Sequence, residues 1–185
     1  MSEYRIRLLR EEDWDEVVAL EERAYAASGL SEGREALRSR HRASPSTCFV
    51  LEYAGSLGGY LLALPYPLFR CPDLSLAEDG AVGESHRGSN LHTHDVVITE
   101  KLRGRGLAPR MMRHLHGTAP AAGYRTVSLV AVLGAQAVWA PLGYHARPEI
   151  GLPASYGAEA VYMAKPLEPA VTDPTLGSSP RAEVG

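Results

Sequence analysis

The fold is decided by residues 91–115, which read LHTHDVVITEKLRGRGLAPRMMRHL. The stretch opens with an apolar strand around Val96-Val97-Ile98, turns through Arg103-Gly104-Arg105-Gly106-Leu107-Ala108 and continues as a helix expected over residues 104–119. A glycine-rich turn between a strand and a helix presents free backbone N–H groups at the positive end of the helix dipole. The pattern predicts that this turn binds a phosphate group.

Two histidines precede the turn on the same strand. His92 and His94 stand two residues apart, so both should point to one face of the sheet, and Asp95 to the other. Imidazole has an unperturbed pKa of about 6.5 and can accept a proton near neutral pH. An anion site beside two imidazoles predicts an active site. The alternative is that one histidine packs in the sheet and the other lines a solvated cleft. Asp95 is expected to be a structural hydrogen-bond acceptor.

Composition bounds the class of protein. The chain has 185 residues, which is enough for one domain with a sizeable core. Its formal net charge of -3 argues against a nucleic-acid partner, whose binding surface would be basic. No apolar run reaches membrane-spanning length, and residues 1–10 show no signal-peptide pattern. Cys48 and Cys71 form neither a disulfide framework nor a metal-ligand spacing, so a cytoplasmic location is expected.

Periodicity and turn residues place the other elements. We expect strands at residues 4–9, 48–53, 57–64, 126–132 and 160–165, and helices at 10–27, 31–42 and 134–142. Residues 66–90 lack periodicity and predict a long loop, whose apolar and acidic side chains would suit an amine-bearing organic substrate; plain surface variability is the alternative. Beyond Pro166 large apolar residues become rare. We therefore expect one domain over residues 1–167 and a disordered tail over 168–185.

The order of elements and three local patterns resemble the Gcn5-related N-acetyltransferases, the GNAT superfamily. The family's phosphate-binding pattern, Gln/Arg-x-x-Gly-x-Gly/Ala, is matched at every fixed position by residues 103–108. The glycine-aromatic corner after a short helix is matched by residues 138–144, and the closing strand ends in Met-x-Lys-Pro-Leu at residues 163–167. The resemblance covers residues 4–167. It implies an α/β (α+β) fold with a central mixed, mostly antiparallel, twisted sheet that is flanked by helices and has two splayed central strands.

One branch of the superfamily is similar in the histidine strand. Residues 92–98, His-Thr-His-Asp-Val-Val-Ile, resemble the His-x-His-x-Leu-Ala-Val strand of the arylalkylamine (serotonin-type) N-acetyltransferases, whose paired histidines help to remove the amine proton. Residues 60–66 are also similar to the strand-to-proline-aromatic segment of that branch. The resemblance implies acetyl-CoA as cosubstrate, no metal, a small primary amine as acceptor, direct attack on the thioester, and a monomer or homodimer. The alternatives are acetylation of a protein N-terminus or lysine, and a non-catalytic CoA-binding regulatory domain.

The resemblance also assigns roles to residues. His92 or His94 is the expected base, and the oxyanion is expected to meet a backbone N–H near Val96 or Val97. Many members place a tyrosine, the acid toward sulfur, where this chain has Trp139. An indole N–H is not a proton source, so Tyr144 or Tyr66 is expected to take that role, and Trp139 to pack in the core or beside the cosubstrate. Tyr66 and Phe69 are the expected substrate contacts. The expected cosubstrate contacts are Val96, Val97, Ile98, Arg103, Gly104, Arg105, Gly106, Leu107, Ala108 and Trp139.

Overall fold

A seven-stranded sheet forms the centre of the molecule in a computed structural model that describes residues 4–78 and 88–169. Its strands are β1 (Tyr4–Leu8), β2 (Phe49–Tyr53), β3 (Ser56–Pro65), β4 (Asn90–Ile98), β5 (Thr126–Ala131), β6 (His145–Ala146) and β7 (Val161–Pro166). Their order across the sheet is β1-β2-β3-β4-β5-β7-β6. Within the described residues β4 and β5 are parallel and every other pair is antiparallel. The mixed, mostly antiparallel sheet is thus confirmed.

Helices cover both faces of the sheet. They are α1 (Trp14–Tyr25), α2 (Arg34–Ala43), α3 (Leu107–Thr118) and the single turn α4 (Gln136–Trp139). In α1 the buried residues recur at helical spacing, at Trp14, Val17 and Leu20, so one face packs on the sheet while the other meets water. No helix of the described part is both long and apolar enough to cross a membrane.

Each face of the sheet has its own apolar core. On one face α1 and α2 pack over a cluster that includes Tyr60, Leu62 and Val97. On the other face α3 packs over a larger cluster that includes Ala63, Leu91 and Met111. Burial of this apolar surface on both sides is the main force that holds the layers together, at about 25 cal/mol per Å² of apolar area removed from water.

A β-bulge interrupts the pairing of β3 with β4. Leu62 lies opposite Asp95 and Ala63 lies opposite Thr93, so His94 is an extra residue with no partner on β3. Further along the pair, a Cβ atom at Gly59 would lie 2.6 Å from the carbonyl oxygen of Val97, and only glycine fits there. The bulge shifts every side chain after His94 to the face opposite the one that simple alternation predicts.

The parallel pair β4–β5 separates beyond the bulge. Its register runs from Asn90 opposite Thr126 to Thr93 opposite Leu129 and stops, although β4 continues to Ile98 and β5 to Ala131. The second half of β4 therefore pairs with β3 alone and opens a wedge toward β5. This confirms the expected splay of the two central strands.

Several element boundaries differ from the expected ones. The strand β6 was not expected, because two residues give no periodic signal. Helix α3 starts at Leu107 rather than Gly104, because Gly104 and Gly106 have positive φ angles of 75° and 70°. Helix α4 is shorter than residues 134–142 because a 3-10 turn follows it at Ala140–Leu142. The middle of the expected loop, 79–87, and the expected tail from residue 170 lie outside the described residues.

Candidate active site

A cavity of about 480 Å³ fills the wedge between β4 and β5. One wall is β4 from Thr93 to Ile98, and the opposite wall is the end of β5 with the turn that follows it. Trp139 of α4 and the start of α3 close one end. The other end is formed by the end of α1, the segment before α2, the loop after β3 and the 3-10 turn before β7, through residues Glu21, Ala24, Tyr25, Leu30, Glu32, Leu74 and Tyr156.

The glycine-rich turn lies at the α3 end of the cavity. Residues 103–106 are exposed, Arg103 and Ala108 line the cavity, and helix α3 begins directly afterwards. The N–H groups of the first helical turn have no hydrogen-bond partner inside the helix and lie at the positive end of the helix dipole. A Cβ atom at Gly104 or Gly106 would point into open space, so nothing of the protein fills the region beside the turn. These residues fit the pyrophosphate of coenzyme A.

The exposed edge of β4 supplies further N–H donors. Thr99 donates its N–H to the carbonyl of Gly58 on β3 at 2.9 Å. Because main-chain groups alternate in direction along a strand, Val97 also points toward β3, whereas Val96 and Ile98 direct their N–H groups into the wedge. Of the two positions expected to meet the oxyanion, both line the cavity, but only the N–H of Val96 points into the wedge.

His92 and His94 lie on the α1–α2 side of the sheet, with ring centroids 6.5 Å apart. His92 is 1% exposed, and its Nδ1 lies 2.9 Å from the hydroxyl of Ser128. Burial, with the charges of His94 and Arg40, places the pKa of His92 well below its ordinary value and keeps it neutral. The imidazole of His94 is fully buried, and its Nε2 bonds to Glu32. His94 is nonetheless partly exposed as a residue, so its main chain is what meets the cavity.

Neither imidazole presents a nitrogen to the cavity. The remaining nitrogens, Nε2 of His92 and Nδ1 of His94, are buried without a hydrogen-bond partner among the described residues. Direct proton transfer from a molecule in the cavity to either ring is not possible in this arrangement. His92 or His94 was expected to accept the amine proton directly or through water; direct transfer would require one of these nitrogens to become exposed, and the role of the histidines stays a prediction.

A buried ion-pair network stands behind His94. The carboxylate of Glu32 bonds to His94 through one oxygen and to Arg40 through the other, at 2.9 Å. Arg40 is 1% exposed; it also pairs with Glu78 and bonds to two main-chain carbonyls of the loop after β3. Burial by itself would raise the pKa of Glu32, but the charges and hydrogen bonds of His94 and Arg40 outweigh it and lower that pKa. The network fixes the loop against α2 and holds the His94 ring in place.

Asp95 is on the same face as the histidines, which corrects the expectation from alternation. The bulge at His94 is the reason, since it turns Asp95 toward α1. The Asp95 carboxylate accepts hydrogen bonds from the hydroxyls of Tyr25, at 2.8 Å, and Tyr60. Burial raises its pKa to about 6, although both hydroxyls and the charge of His94 act to lower it. Asp95 is thus a hydrogen-bond acceptor, as expected, but one in the cavity wall.

Tyr144 and Trp139 differ from their expected roles in position. Tyr144 is 2% exposed, does not line the cavity, and its hydroxyl lies 2.7 Å from Nε2 of His116 under α3. Burial raises the pKa of Tyr144 far above its ordinary value. Tyr144 is therefore wrongly placed to protonate a sulfur atom in the cavity. Trp139 is buried in the core and also lines the cavity, so both roles expected for it agree with its position.

The two aromatic residues expected to contact substrate lie outside the cavity wall. Tyr66 packs on His92 with ring centroids 6.1 Å apart. Phe69 is 38% exposed, and the guanidinium carbon of Arg147 lies 4.6 Å from the centroid of its ring. From the same loop it is Leu74 that lines the cavity, beside Tyr156.

Sequence reasoning missed most of the side chains at the α1 end of the cavity. Glu21, Tyr25 and Glu32 lie in α1 and before α2, where helical periodicity marked only core positions. Of these three residues, only Glu21 could have been found from local sequence, because it is a carboxylate among the apolar residues of the α1 stripe. It is 1% exposed and accepts hydrogen bonds from the Ser31 hydroxyl and the Glu32 N–H, both at 2.7 Å.

A splayed parallel pair, a glycine-rich turn before a helix and a cavity between them are the features expected of the GNAT fold. The family model described as "Acetyltransferase (GNAT) family" matches residues 14–144. The chain belongs to this family. A comparison with curated proteins finds no match.

Solved structures of the same fold carry different chemistries. The chain is similar to N-acetylglutamate synthase from Neisseria gonorrhoeae, complexed with coenzyme A and N-acetyl-glutamate, at 17% identity and a TM-score of 0.68 over 91% of this chain and 36% of that one. It is similar to the GNAT-like decarboxylase GphF in complex with isobutyryl-CoA, at 18% identity and a TM-score of 0.69 over 89% and 100%. A GNAT acetyltransferase from Brucella melitensis with acetyl-CoA gives 18% identity and 0.59 over 91% of each chain. At such identities these likenesses show the fold alone.

No group of three or more His, Cys, Asp and Glu side chains within residues 4–78 and 88–169 is arranged to hold a metal ion.

Proposed function

We propose that this protein is an acetyl-CoA-dependent N-acetyltransferase that acts on the primary amine of a small molecule. The observation that carries the proposal is the polarity of the cavity. One end has the phosphate-binding turn with Arg103, and the other end has the carboxylates of Glu21, Glu32 and Asp95. A donor with a pyrophosphate and an acceptor with a positive charge would therefore enter from opposite ends and meet at β4.

The donor end would hold the cosubstrate by its backbone. The N–H groups of the turn and the arginines Arg103 and Arg105 suit the pyrophosphate, and the N–H groups of Val96 and Ile98 lie along the wedge where the thioester arm would run. An N–H of Val96 aimed at the thioester carbonyl would stabilise the negative oxygen formed on attack. Relatives of the same fold that contain acetyl-CoA or coenzyme A support the choice of cosubstrate.

The acceptor end favours a cation with an apolar body. Around the carboxylates the wall is formed by Tyr25, Leu30, Leu74 and Tyr156. An alkylamine with a pKa near that of lysine, about 10.4, is cationic near neutral pH and matches this acidic end. A free carboxylate on the acceptor would be repelled by the same groups.

The loop after β3 supports a small acceptor. It is fixed over the cavity by the Tyr156 hydroxyl on the Pro72 carbonyl, at 2.8 Å, and by the Ser155 hydroxyl on Asp73, at 2.8 Å. A wall fixed in this way narrows the acceptor end, whereas a protein acceptor needs an open groove. A second candidate, acetylation of a protein N-terminus, is favoured by one observation. A neighbouring cavity of about 540 Å³ shares Leu30 and Tyr156 with the first and would leave room for a longer acceptor.

The histidine pair keeps a restricted role in this proposal. With both rings closed off from the cavity, His92 and His94 would act behind the wall, where His94 carries the Glu32 network and His92 packs between Ser128 and Tyr66. Contact with the acceptor then falls to another residue. Membership of the arylalkylamine branch is proposed on the same pattern, His-x-His at residues 92–94, and on the apolar acceptor end.

Sulfur would leave without a tyrosine acid. Trp139 lines the cavity where that acid was expected, and an indole N–H donates a hydrogen bond but no proton near neutral pH. A thiol has a pKa of about 8.5, so its thiolate is a tolerable leaving group, and the proton released by the amine can neutralise it.

The test is a thiol-release assay with acetyl-CoA across a panel of primary amines, matched alcohols and short peptides. We expect release with at least one cationic small amine and none with its alcohol. Release with peptides alone would replace the small acceptor by a protein one. Binding of coenzyme A without release from any acceptor would leave a binding domain instead of an enzyme.

A further inference from the structure

We propose that Asp95 is the residue that contacts the ammonium group of the acceptor and receives its proton. The inference rests on the proposed function, since it names the group in the cavity that an amine would meet. No histidine has this role in the proposal. The assignment rests on the position of Asp95, on the absence of a lysine or arginine at its carboxylate among the described residues, and on the fixed orientation of that carboxylate.

The position of Asp95 follows from the bulge. His94 is the extra residue of β4, and so Asp95 lies opposite Leu62 and on the face of α1. At this point β4 has already separated from β5, whose last partner on β4 is Thr93. Asp95 therefore lies at the opening of the wedge, next to Val96, whose N–H points into the cavity. An amine at Asp95 and a thioester at Val96 would be neighbours.

Within the described residues Asp95 has no ion pair of its own, and His94, whose charge acts on it, pairs with Glu32. Among the described residues no lysine or arginine lies within ion-pair distance of its carboxylate. The nearby carboxylates each have partners: Glu32 has Arg40 and His94, and Glu21 has two N–H or O–H donors. A buried carboxylate without an ion pair is costly, and a bound ammonium would supply an opposite charge.

The Asp95 carboxylate has lone-pair positions left for this contact. An ionised carboxylate offers about four lone-pair positions, and the hydroxyls of Tyr25 and Tyr60 occupy two of them. Tyr60 is fully buried in the core, whereas Tyr25 lines the cavity and bonds to Oδ1. The two bonds fix the carboxylate plane from α1 and from β3, which is the orientation that a proton acceptor requires.

The protonation behaviour agrees with the position. Tyr25 and Glu21 of α1, Tyr60 of β3, Glu32 before α2 and His94 of β4 are the titratable groups around Asp95. Burial is the largest effect on its pKa and raises it to about 6. Near neutral pH Asp95 is then ionised, and it is a better proton acceptor than an ordinary carboxylate.

One N–H bond of the ammonium breaks, the proton bonds to the Asp95 carboxylate, and the electron pair stays on nitrogen. That pair forms the C–N bond at the thioester carbonyl, and the C–S bond breaks as coenzyme A leaves as thiolate. The second amine proton neutralises the thiolate, and Asp95 returns its proton to solvent before the next cycle.

The test compares Asp95→Asn with the matched variant Asp15→Asn, which makes the same change on the exposed face of α1. The probes are 2-phenylethylamine and its uncharged analogue 2-phenylethanol, with acetyl-CoA for turnover and coenzyme A for binding. We expect Asp95→Asn to lose at least about 100-fold in kcat/KM and the ascending limb of the pH profile near pH 6, as for a general base. Affinity for coenzyme A should stay within twofold, which shows that the variant is folded. Asp15→Asn should match the native chain throughout.

Binding provides a second, independent measurement. In the presence of coenzyme A the native chain should prefer the amine to the alcohol by at least tenfold, and Asp95→Asn should lose the preference. A native chain that binds but does not acetylate the amine would overturn the transfer and leave Asp95 as the ammonium site if the preference is lost in the variant. Full activity and an unchanged limb in Asp95→Asn would overturn the role of Asp95 and leave the acetyl transfer standing. A native chain that binds coenzyme A and no amine overturns both.

Discussion

The hydroxyl of Tyr25, the last residue of α1, donates a hydrogen bond of 2.8 Å to Oδ1 of Asp95 in β4. The two residues are 70 positions apart in the chain, and the bond joins the first helix to the strand that carries the candidate site. It stabilises the ionised carboxylate and holds it at the cavity wall. Burial in turn raises the pKa of the Tyr25 phenol well above its ordinary value, so it stays a donor.

Replacement of Tyr25 by phenylalanine should move the pH dependence of acetyl transfer upward. Loss of a hydrogen bond to the ionised form raises the pKa of Asp95, so we expect the ascending limb of kcat/KM to shift by about one pH unit toward the alkaline side. The measurement is the pH dependence of kcat/KM, taken from initial rates at amine concentrations well below KM. Tyr4→Phe, on β1 and away from the cavity, is the control and should not move it. If the ascending limb does not shift in Tyr25→Phe, the group that titrates in the profile is not Asp95.

The free energy of unfolding should also depend on pH through the raised pKa of Asp95. Its pKa is about 6 in the folded chain against 3.8 for an ordinary aspartate, so between these values the folded state holds a proton that the unfolded state has released. Stability then falls as pH rises through this window, and the loss is complete above it. Asp95→Asn lacks this effect, so its free energy of unfolding relative to the native chain should improve by about 2 kcal/mol between pH 4 and pH 7.

Urea unfolding at a series of pH values measures the difference. Asp15→Asn serves again as the control, because Asp15 is exposed and pairs with Arg34 at the surface. A difference between Asp95→Asn and the native chain that does not vary with pH would mean that the folded chain ionises Asp95 as easily as the unfolded chain does.

Two glycine variants can distinguish a loss of phosphate binding at the turn from the effect of backbone strain. Gly106 and Gly123 have positive φ angles, 70° and 93°, and a Cβ atom at either would meet open space. Valine at either position should cost a similar amount of stability, about 1–3 kcal/mol, because a β-branched residue is strained there. Only Gly106→Val puts a side chain where the pyrophosphate would lie.

We therefore expect Gly106→Val to lose at least about 100-fold in affinity for coenzyme A, or about 2.8 kcal/mol, and Gly123→Val to lose little. Isothermal titration with coenzyme A gives both values, and thermal unfolding gives the cost in stability. Equal losses of affinity in the two variants would place the cosubstrate elsewhere.

Tyr144→Phe tests the residue that sequence offered as the acid. Since its hydroxyl is bonded to His116 under α3, we expect kcat to stay within about twofold and stability to fall by about 1 kcal/mol, the usual value of one hydrogen bond. The comparison of kcat with the midpoint of urea unfolding checks both parts. A tenfold fall in kcat with the midpoint unchanged would return Tyr144 to the site.

Local sequence was sufficient for the phosphate-binding turn and for most of the elements. The glycines of residues 103–108, the strand before them and the helix after them are consecutive in the chain, so their physical roles follow from backbone chemistry alone. Alternation along a strand also predicted that His92 and His94 share one face of the sheet, and their rings do lie on the same side.

The face of Asp95 could not be read in the same way. It depends on the bulge at His94, and a bulge exists only where β4 pairs with β3, some 30 residues earlier in the chain. A single extra residue reverses the side of everything that follows, so local periodicity gives the wrong answer after it.

The sequence by itself determined the family fold, the turn that would bind a pyrophosphate and the presence of two histidines beside it, because each depends on neighbouring residues. Only the tertiary structure decided what those histidines meet. His94 reaches Glu32, 62 positions away, and Asp95 reaches Tyr25, 70 positions away, because α1 and α2 pack against that face of the sheet. Those distant contacts hold the imidazole of His94 and the carboxylate of Asp95 on the α1–α2 side of the sheet, in the wall of the cavity.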